Sequence, residues 1–146
     1  MPNNARFSVK TGDWLTTKHL AKPIRLSVFV KEQGVPANIE LDPLDPDCQH
    51  FIALDEQARP IATARLGVTG KLGRMAVLKA YRRKGAGRLL LDAVNVYAIS
   101  QGLHRLTCHA QTEAAGFYKK QGFVTTGMPF QEAGIEHLKM VKVLSA

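Results

Sequence analysis

The chain has 146 residues, of which 45% are hydrophobic and 22% charged. These are ordinary globular values, and they exclude collagen-like, coiled-coil and wholly disordered chains. The length suits one domain, 1–146, able to bury roughly 70% of its unfolded surface. The longest stretch free of Asp, Glu, Lys and Arg runs from Ala93 to His104, short of the ~20 apolar residues that span a membrane. No apolar run follows the first charges, so no secretory signal is expected. Cys48 and Cys108 form no CxxC pair. Reduced thiols in a cytoplasmic protein without a metal site are the expectation.

The net charge is +8, and its distribution is uneven. Glu32 to Ala58 holds seven acids (Glu32, Glu40, Asp42, Asp45, Asp47, Asp55, Glu56) and no Lys or Arg. Gln57 to Leu91 holds nine bases and no acid. A basic balance points to a polyanion, whether nucleic acid, a membrane surface or a phosphorylated cofactor. The sequence order suggests one segment that repels anions and a second that holds them, or two solvated faces of opposite sign.

In chain order, Arg6–Lys10 alternates apolar and polar residues and predicts a strand. Asp13–Ala21 and Pro23–Lys31 predict two short helices, with Pro23 in the first turn of the second. Gly34–Asp47, with three prolines, reads as a loop. His50–Asp55, Ile61–Val68 and Leu72–Leu78 read as strands. Gly85–Gln101 carries apolar residues at helical spacing and is stopped by Gly102. Arg105–Ala110 predicts a strand, Thr112–Gln121 a helix, and Phe123–Thr126 a strand. A loop through Gly134 then leads to a last strand, Leu138–Leu144. Segment 72–110 is a strand–helix–strand crossover, whose strands are normally parallel. The fold class is α/β (α+β), with a mixed central sheet flanked by helices.

The segment Arg82-Arg83-Lys84-Gly85-Ala86-Gly87-Arg88 lies between a strand and a helix. Glycines allow a sharp turn and close backbone approach. The first helical turn leaves N–H donors unpaired at the positive end of the dipole, and four basic side chains surround it. A pyrophosphate suits that chemistry. Gly70-Lys71-Leu72 lacks the Ser or Thr of a Walker loop. Gly85-x-Gly87 lacks the third small residue and the later acid of the dinucleotide fingerprint. The pattern Arg/Gln-x-x-Gly-x-Gly/Ala is met by Arg82, Gly85 and Gly87.

Three blocks in order give the chain a resemblance to the GNAT superfamily of acetyl-coenzyme A-dependent N-acetyltransferases. They are Arg74-Met75-Ala76-Val77, the turn 82–88, and Ala114-Ala115-Gly116-Phe117-Tyr118-Lys119-Lys120-Gln121-Gly122-Phe123. Further blocks resemble a subgroup of small bacterial members: Val28-Phe29-Val30-Lys31-Glu32-Gln33-Gly34-Val35-Pro36, Asp42-x-x-Asp45, His50, Ala110-Gln111, and Phe130 to His137. Together they cover most of the chain from about residue 25.

The resemblance implies direct transfer from acetyl-coenzyme A to an amine while both are bound. It implies that the pantetheine arm pairs with Met75, Ala76 and Val77, and that the Val77 N–H faces the thioester carbonyl. The phosphates would lie at Arg82, Arg83, Lys84, Gly85, Ala86, Gly87 and Arg88, near Phe117. Gln111 is expected to bond pantetheine or to cap the next helix. Tyr118 is either the acid that protonates the departing thiolate or a buried aromatic. Glu32, Glu40, Asp42, Asp45 and His50 are candidates for the base or for acceptor binding. Gln33, Glu132 and His137 are candidates to line the acceptor site, with a structural role equally open to His137. The acidic loop would suit a cationic amine. The acceptor is a small molecule or a protein amine, and a homodimer is open.

The rival readings are a nucleic-acid-binding domain using residues 57–91 and a coenzyme A-binding fold without activity. No helix-turn-helix, zinc finger or stacking platform supports the former, and no GxSxG elbow supports Ser/His/Asp hydrolysis.

Overall fold

The computed structural model describes residues 6–37 and 42–145. Seven strands form one sheet: β1 (Ser8–Gly12), β2 (Gln49–Leu54), β3 (Pro60–Leu66), β4 (Lys71–Val77), β5 (Arg105–Gln111), β6 (Val124–Glu132) and β7 (Ile135–Val143). Their order is β1-β2-β3-β4-β5-β7-β6. Neighbours are antiparallel except β4 and β5. The expected mixed sheet and parallel crossover are present.

Helix α1 (Trp14–Arg25) covers one face, burying Ala21 and Ile24 against Ile52 and Ala76. Helices α2 (Ala86–Ser100) and α3 (Ala115–Lys120) cover the other. There Leu90, Leu91 and Val94 pack with Phe51, Leu72, Leu106 and Met140. The two faces follow from strand alternation: in β2, Phe51 and Ala53 turn toward α2 while Ile52 turns toward α1.

The structure corrects two expectations. The first two helices are not separated at Pro23. Pro23 lies inside α1, which runs without a break into a π-helical segment, Leu26–Glu32. A mid-helix proline costs about 3 kcal/mol. The stripe Ala21, Ile24, Val28 stays buried across it, and each large apolar side chain so buried returns roughly 1.5–3 kcal/mol. The wider turn shows in the Gln33 N–H, which donates to Val28 O at 3.0 Å. The expected loop before residue 138 is instead a long β6–β7 hairpin. Its register shifts between Thr126 and Phe130, around Gly127 and Pro129, just past the end of the expected strand at Thr126. β6 is an edge strand, so a residue without an N–H donor is tolerated there. Ala133 and Gly134 close the tip with φ of 53° and 75°, as a two-residue hairpin turn requires.

No helix among the described residues is long and apolar enough to cross a membrane. Cys48 and Cys108 are buried free thiols.

Candidate active site

β4 and β5 pair only through Lys71–Thr107 and Leu72–Cys108. Beyond that point they diverge, and a cleft of about 390 Å³ opens between them. Its walls include Phe29, Gln33, Met75, Cys108, His109, Gln111, Tyr118, Glu132 and His137. A bulge in β4 helps to open it. Gly73 faces Arg65 and Ala76 faces Thr63, so Arg74 and Met75 together oppose the single residue Ala64, and Arg74 takes φ 49°.

Past the bulge, Leu78 N–H donates to Ile61 O at 2.9 Å, which makes Ala62–Val77 a non-hydrogen-bonded pair. The amide and carbonyl of Val77 therefore point away from β3, toward the gap. The carbonyl accepts from Arg82 Nε at 2.9 Å. The amide presents a strand-edge donor.

The glycine turn lies beyond the end of β4. Gly85 precedes α2 with φ 88° and no side chain caps the helix start, so the first-turn donors face outward. Arg83, Lys84 and Arg88 are exposed around it. Arg82 is engaged elsewhere, since both terminal nitrogens bond the Glu32 carboxylate at 2.6 Å. Gly87 plays a packing part. A Cβ there would lie 3.1 Å from Phe117 Cζ and 3.4 Å from Met75 Cε. The glycine lets α2 approach the Phe117 ring, which sets the ring edge-on to Tyr118.

Tyr118 is 8% exposed, and its hydroxyl lies 3.4 Å from Met75 Sδ. Burial pushes the phenol well above its ordinary range, and Cys108 adds to that. The group thus keeps its proton. Burial likewise pushes the Cys108 thiol up to about 12.

The candidate bases separate by geometry. Glu32 is held below the usual carboxylate range, chiefly by its hydrogen bonds from Arg82. Burial pulls Asp42 upward, but the Leu44 N–H, Arg65 and Arg74 outweigh it and hold the carboxyl low. Asp45 is 2% exposed and accepts from Arg25 at 2.9 and 3.1 Å and from Arg65 at 2.8 Å. His50 is buried, bonds Asp45 O at 2.9 Å and packs on Trp14. Its burial pushes the imidazole down despite the Asp45 carbonyl. Asp42 reaches the cleft, whereas Asp45 and His50 support it from outside its walls. Glu40 lies outside the described residues. The acidic and basic runs are therefore not separate surfaces. Asp42, Asp45, Asp55 and Glu32 are taken up by Arg25, Arg59, Arg65, Arg74 and Arg82.

Gln33 and His137 are brought to the cleft, as is Gln111, which bonds Gln33. Among the lining residues given no role in the sequence is His109, whose Nδ1 lies 2.9 Å from Glu132 Oε1. Alternation in β5 carried the signal. With Leu106, Cys108 and Ala110 in the core, His109 must share the opposite face with Gln111.

The profile of the acetyltransferase (GNAT) domain matches residues 23–144. The chain belongs to the GNAT acetyltransferase family. A Bacillus subtilis protein named as an acetyltransferase is 43% identical over 130 residues, covering 85% of this chain and 88% of its own. A B. subtilis protein named as an N-acetyltransferase, YjcF, is 39% identical over 123 residues, covering 82% and 87%. A solved structure named as an N-acetyltransferase from Lactobacillus plantarum superposes with a TM-score of 0.87 at 30% identity, covering 95% of this chain and 99% of that one. An acyl-CoA N-acyltransferase from Pseudomonas aeruginosa does so with 0.80 at 26% identity, covering 95% and 99%. Family and neighbours support acyl transfer from a coenzyme A thioester by this GNAT fold.

Proposed function

We propose that this GNAT protein transfers an acetyl group from acetyl-coenzyme A directly to a primary amine, with both substrates held in the β4–β5 cleft. One observation carries the reading: the unpaired edge of β4 faces the cleft beside a buried, protonated Tyr118. The residues present fit the thioester. A strand edge offers the Val77 amide, and an uncapped glycine turn with Arg83, Lys84 and Arg88 offers donors and positive charge for phosphates.

When bound, acetyl-coenzyme A supplies an activated acyl carbon and a thiolate leaving group. The Val77 amide would stabilise negative charge developing on the carbonyl oxygen, usually a large contribution because the donor is already in place. Tyr118 would hand its proton to sulfur. Arg82, locked between Glu32 and the Val77 carbonyl, would fix the strand end and the turn relative to each other. Gln33 and Gln111 would bound the acceptor end. The basic run does not favour a nucleic-acid surface, because Arg59, Arg65, Arg74 and Arg82 are ion-paired within the fold.

Thiol release from acetyl-coenzyme A, with and without an amine panel of glucosamine, spermidine and a lysine-containing peptide, tests the reading. Amine-dependent release supports it. Tight binding of coenzyme A without release would make the protein a binding fold only. Equal affinity for coenzyme A and pantetheine would remove the phosphates from the glycine turn.

A further inference from the structure

The proposed reaction needs a base, and the carboxylates of Glu32, Asp42 and Asp45 considered for that role are committed to arginines. A different group stands on the cleft wall. His109 Nδ1 lies 2.9 Å from Glu132 Oε1. A carboxylate accepts only, so Nδ1 carries the proton and Nε2 of the neutral ring is left with its lone pair. His137 Nδ1 lies 2.7 Å from Ile135 O, which likewise places its proton on Nδ1. Its Nε2 is 3.9 Å from Glu132 Oε2. Phe130 fills the space between the two imidazoles, edge-on to His109 at 4.9 Å and stacked on His137 at 5.9 Å. Three elements, β5, β6 and β7, thus converge on one carboxylate.

The two faces of the sheet divide the chemistry. Cys108 and Ala110 pack with Tyr118 on the face covered by α2 and α3, whereas His109 and Gln111 project from the other. An acyl group lodged between β4 and β5 is reached from both. The proton for sulfur and the base for nitrogen would then stand on opposite sides.

Resting on the N-acetylation reading, we propose that His109 is the general base for the acceptor amine and that Glu132 positions it. The incoming ammonium gives one proton to His109 Nε2, which passes it to solvent. The N–C bond forms as the C–S bond breaks. The thiolate takes the Tyr118 proton, and the second proton shed by nitrogen restores the phenol. The net products are the amide, the free thiol and one proton.

The test measures kcat and KM of wild type, His109→Ala and Glu132→Gln with acetyl-coenzyme A and the same three amines, together with calorimetric affinity for coenzyme A. His109→Ala is expected to lower kcat by roughly 10²-fold or more, with coenzyme A affinity unchanged, and added imidazole is expected to restore part of the loss. Glu132→Gln is expected to lower kcat about tenfold with little change in KM, and Glu132→Asp to recover part of it. Near-wild-type turnover of His109→Ala, or a loss that imidazole does not relieve, overturns the assignment while leaving N-acetylation standing. Wild-type protein inert toward all three amines overturns N-acetylation and this assignment together.

Discussion

Gln33 and Gln111 exchange amide hydrogen bonds: Nε2 of Gln111 donates to Oε1 of Gln33 at 2.8 Å, and the reverse bond is 3.3 Å. The pair joins the end of the π-helical segment to the end of β5 across the cleft. Removing either amide leaves the other unpaired, and a neutral bond of this kind is worth about 1 kcal/mol. Gln33→Ala and Gln111→Ala should each cost about that much in denaturant unfolding, and the double variant little more than either. Additive losses would show that the two side chains act independently.

Gly87→Val is expected to act through packing as well as through the phosphate turn. The added carbons meet Phe117 and Met75, and overpacking of this kind costs about 1–3 kcal/mol. Phe117→Leu combined with Gly87→Ala should recover stability relative to Gly87→Ala alone. Weakened acetyl-coenzyme A binding that persists after this recovery would then belong to the turn itself. Gly85 differs, having open space around it but φ 88°, so Gly85→Ala should strain the backbone without a clash.

Tyr118→Phe keeps the ring among Phe117 and Phe123 and deletes a hydroxyl whose partner is a thioether sulfur. Stability should change by less than about 1 kcal/mol, since sulfur is a weak acceptor. If the phenol protonates the thiolate, kcat should fall roughly 10²-fold or more with coenzyme A affinity kept. Steady-state rates on an amine for which chemistry limits turnover decide this, and an unchanged kcat would assign the proton to another donor.

Acid should weaken the fold in a defined window. Desolvation pulls the Asp55 carboxyl upward, but the Arg59 N–H and guanidinium, the Tyr81 hydroxyl and the Gln57 N–H outweigh it and bring it to about 2. Its folded value is depressed, so its contribution is full above about pH 4, the ordinary Asp range. It is lost as pH falls toward about 2. Asp55→Asn should flatten the pH dependence of stability in that window, measured by urea unfolding at several pH values. An unchanged slope would show the acid response to come from other carboxyls such as Asp42, which is also held low.

The strands from β2 to β5 and the helix α2 were legible in the sequence because alternation and 3.6-residue spacing report burial directly. The π-helical run at 26–32 was not, because Pro23 is a strong local breaker whose cost is met by contacts far along the chain. β6 was read short for a similar reason: Gly127 and Pro129 are tolerated only because β6 is an edge, and edge position is a property of topology. At the site, Met75, Gln111 and Tyr118 were found from motifs, whereas His109 belongs to no motif and emerges only when β5 is given two faces. The roles expected of Asp45 and His50 rested on charge, residue type and the subgroup resemblance. None of these reports that Arg25 and Arg65 converge on Asp45 from α1 and β3.

The meeting of β4 and β5 over two residue pairs makes a seam in the sheet. On one side β1 to β4 pair in sequence order, and on the other β5, β7 and β6 pair, each over more residues than join β4 to β5. A shared core still packs the two halves together, so it is along this seam that amides are expected to exchange sooner than inside the ladders. The amides of Leu72 and Thr107 mark the boundary, and that of Val77, turned to the gap, has no ladder partner to slow it. A molecule lying along the β4 edge would stitch the halves together, and slowed exchange at Val77 would report its arrival before any chemistry occurs.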